Sequence, residues 1–306
     1  MDYSLKQIRE DFKKSGVFYT TSELAEYLKS LIDIEYSEVY DPTCGNGQLL
    51  SVFADEIKKF GQEINEQQLQ VAQQRLVNFN GYCGDTLKDP HFLDKKFKCI
   101  VANPPFSIKW EPPMKGLFID ERFSDCPALP PPSKADYAFM LHCLHYLSDD
   151  GIAVILNFPG ILYRGASEGN IRKWLVQKNW IDKVIRIPGK TFVDTTIETC
   201  IIVFKKNKSD SSILFIDTES SKQKLASLED IVKNDYILSV NTYIEKDEES
   251  KPMIDPLQLQ EKAHRSMILR LKKNIEMDKM ICELEGWDFV PYLLQLQETI
   301  KSYLQK

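Results

Sequence analysis

No stretch of this 306-residue chain is apolar for long enough to cross a bilayer, which takes about 20 consecutive residues. The N-terminal "MDYSLKQIREDFKKSG" lacks the apolar core of a signal peptide. It is charged and amphipathic, so residues 1–15 read as a short helix and not as a targeting segment. Histidine is scarce, and no Cys-x-x-Cys pair occurs among the seven cysteines. His142 and His145 sit at i and i+3, but no Cys or carboxylate cluster at ligand spacing joins them, so no metal is expected. The cysteine count is odd and several members lie in apolar runs, which points to reduced thiols and a cytoplasmic protein. There is no surplus of positive charge either: the formal net charge is −6. A chain that grips nucleic acid alone needs clustered Lys and Arg, so a partner is expected to supply part of any such grip.

What is present is a βαβ alternation. "SEVYDPTCGNGQLL" reads as a strand, a Gly-bearing turn and a helix start; "KKFGQEI" is a second strand and "GYCGD" a third, ending at Asp85. Leu69, Ala72, Leu76 and Phe79 between the last two keep helical spacing. "FKCIVA" is the fourth strand. After it come a helix in "KADYAFMLHCLHYLS" and the β-branched runs "GIAVILNF", "KVIRIP" and "TCIIVFK". The pattern predicts an α/β fold with a mostly parallel sheet. A helix is expected from Ser22, with Ser22 as N-cap and Leu24, Leu28 and Leu31 on one face. Residues 107–133 are Pro-rich and aperiodic, which suits either a functional loop closing over a substrate or a segment that is disordered without one. Composition shifts near residue 245. The predicted organisation is therefore a catalytic domain over 1–245 and a helical tail over 246–306, the latter a candidate partner-docking arm.

In an open parallel sheet, ligands bind beyond the carboxyl ends of the strands. After the first strand, Gly45 and Gly47 permit a tight turn and close backbone approach. After the second comes Glu63, about twenty residues on, suited to the two hydroxyls of a ribose. After the third, Asp85 can accept a hydrogen bond from an adenine amino group. The full G-x-G-x-x-G is missing, with Gln48 and Leu50 where a pyrophosphate needs small residues. That disfavours NAD and favours an adenosyl ligand without phosphates, S-adenosylmethionine. After the fourth strand comes "NPPF". Asn103 and Pro104 offer two carbonyl acceptors, Pro105 stiffens the turn, and Phe106 offers a flat face. Two acceptors beside an aromatic ring suit an exocyclic amino group, whose nitrogen they polarise for attack on a methyl carbon.

"DPTCGNG" followed by "NPPF" resembles the cofactor and catalytic motifs of S-adenosylmethionine-dependent amino-methyltransferases. "GVFYTTSELAEYL" is similar to the Phe-Tyr-Thr-Pro motif of adenine-specific DNA methyltransferases. The stretch from "KADYAFMLHCLHYLS" to "TCIIVFKK" looks like the modification (M) subunit of type I restriction-modification systems, and the likeness covers roughly residues 12–220. The resemblance implies a Rossmann-like methyltransferase sheet with helices on both faces. It implies that Phe18, Tyr19, Thr20 and Thr21 line the cofactor pocket, and that Asp41, Thr43, Cys44, Gly45 and Gly47 form its floor. Glu63 would hold the ribose, and Asp85 with Thr86 the adenine. Asn103, Pro104, Pro105 and Phe106 would receive a flipped-out adenine of double-stranded DNA. It further implies a specificity subunit, and a restriction subunit, as partners. Thr21 stands where the family usually has Pro, and Gln48 where it often has Gly. A helical domain usually precedes the Phe-Tyr-Thr segment, which here begins at Phe18; this departure bears on stand-alone activity. Three rival readings stay open: an RNA-base methyltransferase, a protein-glutamine methyltransferase, and a non-catalytic cofactor-binding scaffold. Phe192, after "KVIRIP", reads as a core ring, with stacking on the far side of the flipped base as the alternative.

Overall fold

The structure is a computed structural model that describes residues 20–112, 120–189, 191, 197–244 and 256–304. The chain divides into two compact units, Met1–Lys246 and Asp247–Lys306. Phe18, Tyr19, Phe192 and the expected helix over 1–15 lie outside the described residues.

In chain order the first unit contains α1 (Ser22–Ser30), β1 (Glu38–Asp41), β2 (Lys58–Glu63), α2 (Glu66–Arg75), β3 (Phe79–Cys83) and β4 (Phe97–Ala102). The short α3 (Glu121–Ser124) and α4 (Asp136–Tyr146) follow, then β5 (Leu147–Asn157), α5 (Ala166–Gln177), β6 (Ile181–Ile187) and β7 (Thr199–Lys205). It closes with β8 (Ile213–Asp217), β9 (Lys222–Ala226), α6 (Leu228–Lys233) and α7 (Val240–Tyr243). The second unit holds α8 (Pro256–Glu285) and α9 (Phe289–Leu304).

The strands form a nine-stranded sheet in the order β3-β2-β1-β4-β5-β7-β6-β8-β9. From β3 to β5 every pairing is parallel. Beyond β5 the sheet is mixed: β7 is antiparallel to both neighbours, and β9 is antiparallel to β8. The expectation of a mostly parallel sheet holds, five of the eight pairings being parallel with β6–β8 among them, and the antiparallel β7 and the β8–β9 hairpin are additions to it. The winding reverses between β1 and β4, which sets a topological switch point there.

Side chains alternate across the sheet as the strand period of two requires. Ile100 and Ala102 join one apolar layer, with Leu141 of α4 and Leu175 of α5. Cys99 and Val101 join the other, with Leu24 and Leu28 of α1 and Leu69 and Ala72 of α2. Helices thus cover both faces.

Three local expectations shift. Thr21, not Ser22, caps α1, accepting the Leu24 N–H at 3.3 Å. The helical spacing read through Phe79 ends at Arg75; Asn78 takes φ 53°, and Phe79 opens β3. The aperiodic segment 107–133 is tied at its base, where the Trp110 N–H donates to Pro132 O at 3.0 Å and the Ala135 N–H to Ile108 O at 2.8 Å. It also contains α3, capped by Asp120.

Candidate active site

Because β1 to β4 are parallel, their carboxyl ends share one edge, with Asp41 level with Gly61 and Glu63 level with Cys83. Asp41 ends β1 and is 2% exposed. Its Oδ1 accepts the Thr43 N–H at 2.9 Å, which folds the chain into the Gly turn. Burial raises its pKa to about 7, partly offset by the Thr43 bonds and reinforced by the charge on Glu63.

Gly45 and Gly47 have φ of 52° and 77°, the left-handed region that glycine enters freely. A Cβ on Gly47 would stand 2.8 Å from Leu76 Cδ1, so the turn lies tight on the end of α2. A Cβ on Gly45 would meet nothing within 4 Å, so that side of the loop faces open space. Cys44 is held through both backbone and side chain, its Sγ donating to Gly45 O at 3.9 Å. Its N–H donates to Gln62 O at 2.9 Å. Its sulfur fills the space above Gly61, where a Cβ would come within 2.7 Å of it. Burial pushes its thiol pKa well up, which keeps it an unreactive thiol.

Glu63, the last residue of β2, clamps this loop. Its Oε2 accepts the Gly45 N–H at 2.9 Å and its Oε1 the Asn65 N–H at 2.9 Å. Burial raises its pKa against these bonds. Gln48 is held too: its amide donates to Ser22 Oγ at 3.1 Å, and its oxygen accepts from Arg75 at 3.0 Å, bridging α1 and α2.

At the β3 end, Asp85 Oδ1 accepts the Leu87 N–H at 2.9 Å. The Thr86 hydroxyl donates to Pro42 O, joining the β3 and β1 ends. Arg122 then fixes this loop from α3. It donates to the carbonyls of Thr86 at 2.8 Å and Leu87 at 2.7 Å, and pairs with Asp120. It also meets His142 Nδ1 at 3.1 Å. A guanidinium only donates, so Nδ1 accepts and His142 carries its proton on Nε2, 3.0 Å from the Tyr40 hydroxyl. Burial, then the Arg122 charge, holds its pKa well below the usual value, so it stays neutral. Both of its ring nitrogens have structural partners.

At the β4 end, Asn103 Nδ2 donates to Thr20 Oγ1 at 2.9 Å, which brings the start of α1 against the "NPPF" turn. Thr20 and Asn103 are 83 positions apart. Pro104 is buried and Pro105 half-buried. The Phe106 ring is 3% exposed and belongs to the apolar layer of Cys99 and Val101.

The structure thus collects Thr20, Thr21, Asp41, Thr43, Gly45, Gly47, Glu63, Asp85, Thr86 and Asn103 at one sheet edge. Arg122 was not anticipated, because a lone Arg in a Pro-rich segment carries no periodic signal.

A switch-point edge that carries a left-handed Gly turn, acidic strand ends and an Asn-Pro-Pro-Phe turn, on a sheet whose seventh strand runs antiparallel, defines the Rossmann-like methyltransferase class of fold. Within that class, the chain belongs to the N-6 DNA Methylase family, whose sequence profile matches residues 2–225. It is similar to the MpnII type I restriction enzyme methylase subunit of Mycoplasma pneumoniae, with 38% identity over 67% of this chain and 43% of that one. The MjaVII type I methylase subunit of Methanocaldococcus jannaschii is 27% identical over 89% of this chain and 56% of the relative. Among solved structures, a type I restriction-modification methyltransferase subunit from Streptococcus thermophilus superposes with a TM-score of 0.68. It is 31% identical, covering 74% of this chain and 59% of that one. The chain spans about half the length of the curated relatives it matches.

Proposed function

We propose that this chain transfers a methyl group from S-adenosylmethionine to the N6 amino group of an adenine flipped out of duplex DNA, as the modification subunit of a type I restriction-modification system. The observation that carries this reading is the convergence of the Gly45 loop, the Glu63 carboxylate and the Asn103 turn at one switch point. The residues fit the cofactor: beside Gly45 the loop opens to space a ligand can enter, with Glu63 next to it. Asp41, Thr43 and the Gly45–Gly47 backbone would floor the pocket, Thr20 and Thr21 would line it, and Asp85 with Thr86 would take the adenine end. When bound, the cofactor supplies a methyl carbon on a sulfonium. Asn103 and the Pro104 carbonyl would accept the two hydrogens of the target amino group, orient its lone pair, and hold it until the surplus proton leaves to water. With Phe106 buried in this structure, stacking on the base calls for the ring to be uncovered when DNA binds.

The net charge of −6 supports a shared grip on DNA, and the curated relatives are named as subunits. We assign the catalytic role to residues 1–245 and partner docking, a specificity subunit first, to the tail over 246–306. There Met267, Leu284 and Trp287 are exposed. No helix among the described residues is long and apolar enough to cross a membrane, and all seven cysteines are free, which fits the cytoplasm.

The test is mass spectrometry of nucleosides after incubating DNA and labelled cofactor with the chain, with and without a specificity subunit. N6-methyladenine is expected; methylated RNA or protein, or cofactor binding without any product, would reject the reading. Asn103→Ala is expected to abolish turnover with cofactor affinity nearly intact by calorimetry. Glu63→Ala is expected to weaken cofactor binding about tenfold or more, as loss of a charged hydrogen-bond acceptor should.

A further inference from the structure

Directly after the "NPPF" turn, Ser107 takes φ 53°, a left-handed conformation that a residue with a Cβ seldom adopts. One side chain holds it there. The Ser107 N–H donates to Oδ1 of Asp136 at 2.9 Å, and its hydroxyl lies 3.5 Å from Oδ2. Asp136 is the first residue of α4 and is fully buried. Its Oδ2 accepts from Arg164 Nη2 at 3.0 Å. Arg164 is itself gripped by Glu168 through two bonds, 2.5 Å and 2.9 Å. Arg172, also buried, donates to the Arg164 carbonyl at 2.8 Å. Two carboxylates therefore share the Arg164 guanidinium at one largely buried site, while Arg172 steadies the Arg164 backbone, and a buried charge persists only when paired or hydrogen-bonded.

We propose that Asp136 is the positioning residue of the acceptor turn: by holding the Ser107 N–H it fixes the direction in which Asn103 and Pro104 present their carbonyls, while Arg164, steadied by Glu168, neutralises it. The inference rests on the reading of that turn as the element that binds the target amino group. A carboxylate is required because each oxygen faces a donor. An amide of the same shape must turn its NH2 toward either the Ser107 N–H or the Arg164 guanidinium, so one of the two bonds is lost.

The experiment is Asp136→Asn in the full chain, assayed with DNA and the partner that supports wild-type turnover. Turnover is expected to fall by about 10- to 100-fold, the effect of a small misplacement of a reacting group. Cofactor affinity should stay within about twofold. Adding Ser107→Gly is expected to restore part of the loss, because glycine takes the left-handed conformation without help. Unchanged turnover, or cofactor affinity lost in step with it in a folded variant, overturns the proposal. If the variant does not fold, amide exchange in the wild-type chain decides. A slowly exchanging Ser107 N–H, despite its exposed position, supports the anchor; exchange at the rate of a free loop amide rejects it. That measurement is independent of methyl transfer. A wild-type chain that methylates nothing would reject the functional reading and leave the anchor to be judged on exchange alone.

Discussion

Asp41 would couple the fold to the proposed ligand. Burial lifts its pKa from 3.8 to about 7. Between those values the folded chain keeps a proton that the unfolded chain has released. Its contribution to stability therefore falls as pH rises through that window and is level above it. A cation bound nearby favours the ionised carboxylate. Affinity for S-adenosylmethionine is thus expected to rise with pH through about 7, with proton release visible by calorimetry in two buffers of different ionisation enthalpy. S-adenosylhomocysteine, which lacks the sulfonium charge, should show a flatter profile. An affinity for the charged cofactor that does not change with pH would remove Asp41 from its neighbourhood. At this scale much of the candidate site was legible: Glu63, Asp85 and Asn103 stand out because they are polar residues at or just beyond the carboxyl ends of strands. Phe106 was legible as an aromatic ring but not as a buried one, since burial depends on what else packs there.

At the scale of elements, the two glycines of one turn do different work. Gly45→Ala meets open space and strains only φ, a cost of about 1 kcal/mol. It should lower the melting temperature by only about 2–4 °C while obstructing the cofactor. Gly47→Ala adds a collision with Leu76 Cδ1 and Ala72 Cβ. It should lower the melting temperature by clearly more, since α2 or the turn must move. Equal losses of stability in calorimetric scans would contradict this division. The strand β4 was legible from its apolar, β-rich run, and β1 and β2 from their places on either side of the Gly turn. The end of α2 was not, because Leu76 and Phe79 continue the helical period while Asn78 reverses the chain. Thr21 and Ser22 are both good caps by composition, and only the backbone conformation, extended at Thr21, selects between them.

The whole molecule separates a sheet unit from a helical one. A chain ending at Lys246 is expected to bind cofactor with affinity within about twofold of the full chain, because the residues proposed to hold it all precede that point. Loss of cofactor binding on truncation, measured by calorimetry, would show that the second unit supports the pocket. The mixed half of the sheet was hidden at the level of sequence. A β-branched run such as "TCIIVFK" reads alike in either direction, and strand direction is set only by which neighbour it pairs with.

Sequence alone determined the Gly turn, the acidic strand ends, the "NPPF" turn and their order, because turn chemistry and side-chain period are written within a few neighbouring residues. Tertiary structure alone decided that Asn103 meets Thr20, that Arg122 locks the Thr86 loop to His142, and that Asp136 holds Ser107. Those contacts join residues 20 to 83 positions apart, and only the strand order and the packing of helices on both faces bring such partners within hydrogen-bonding reach.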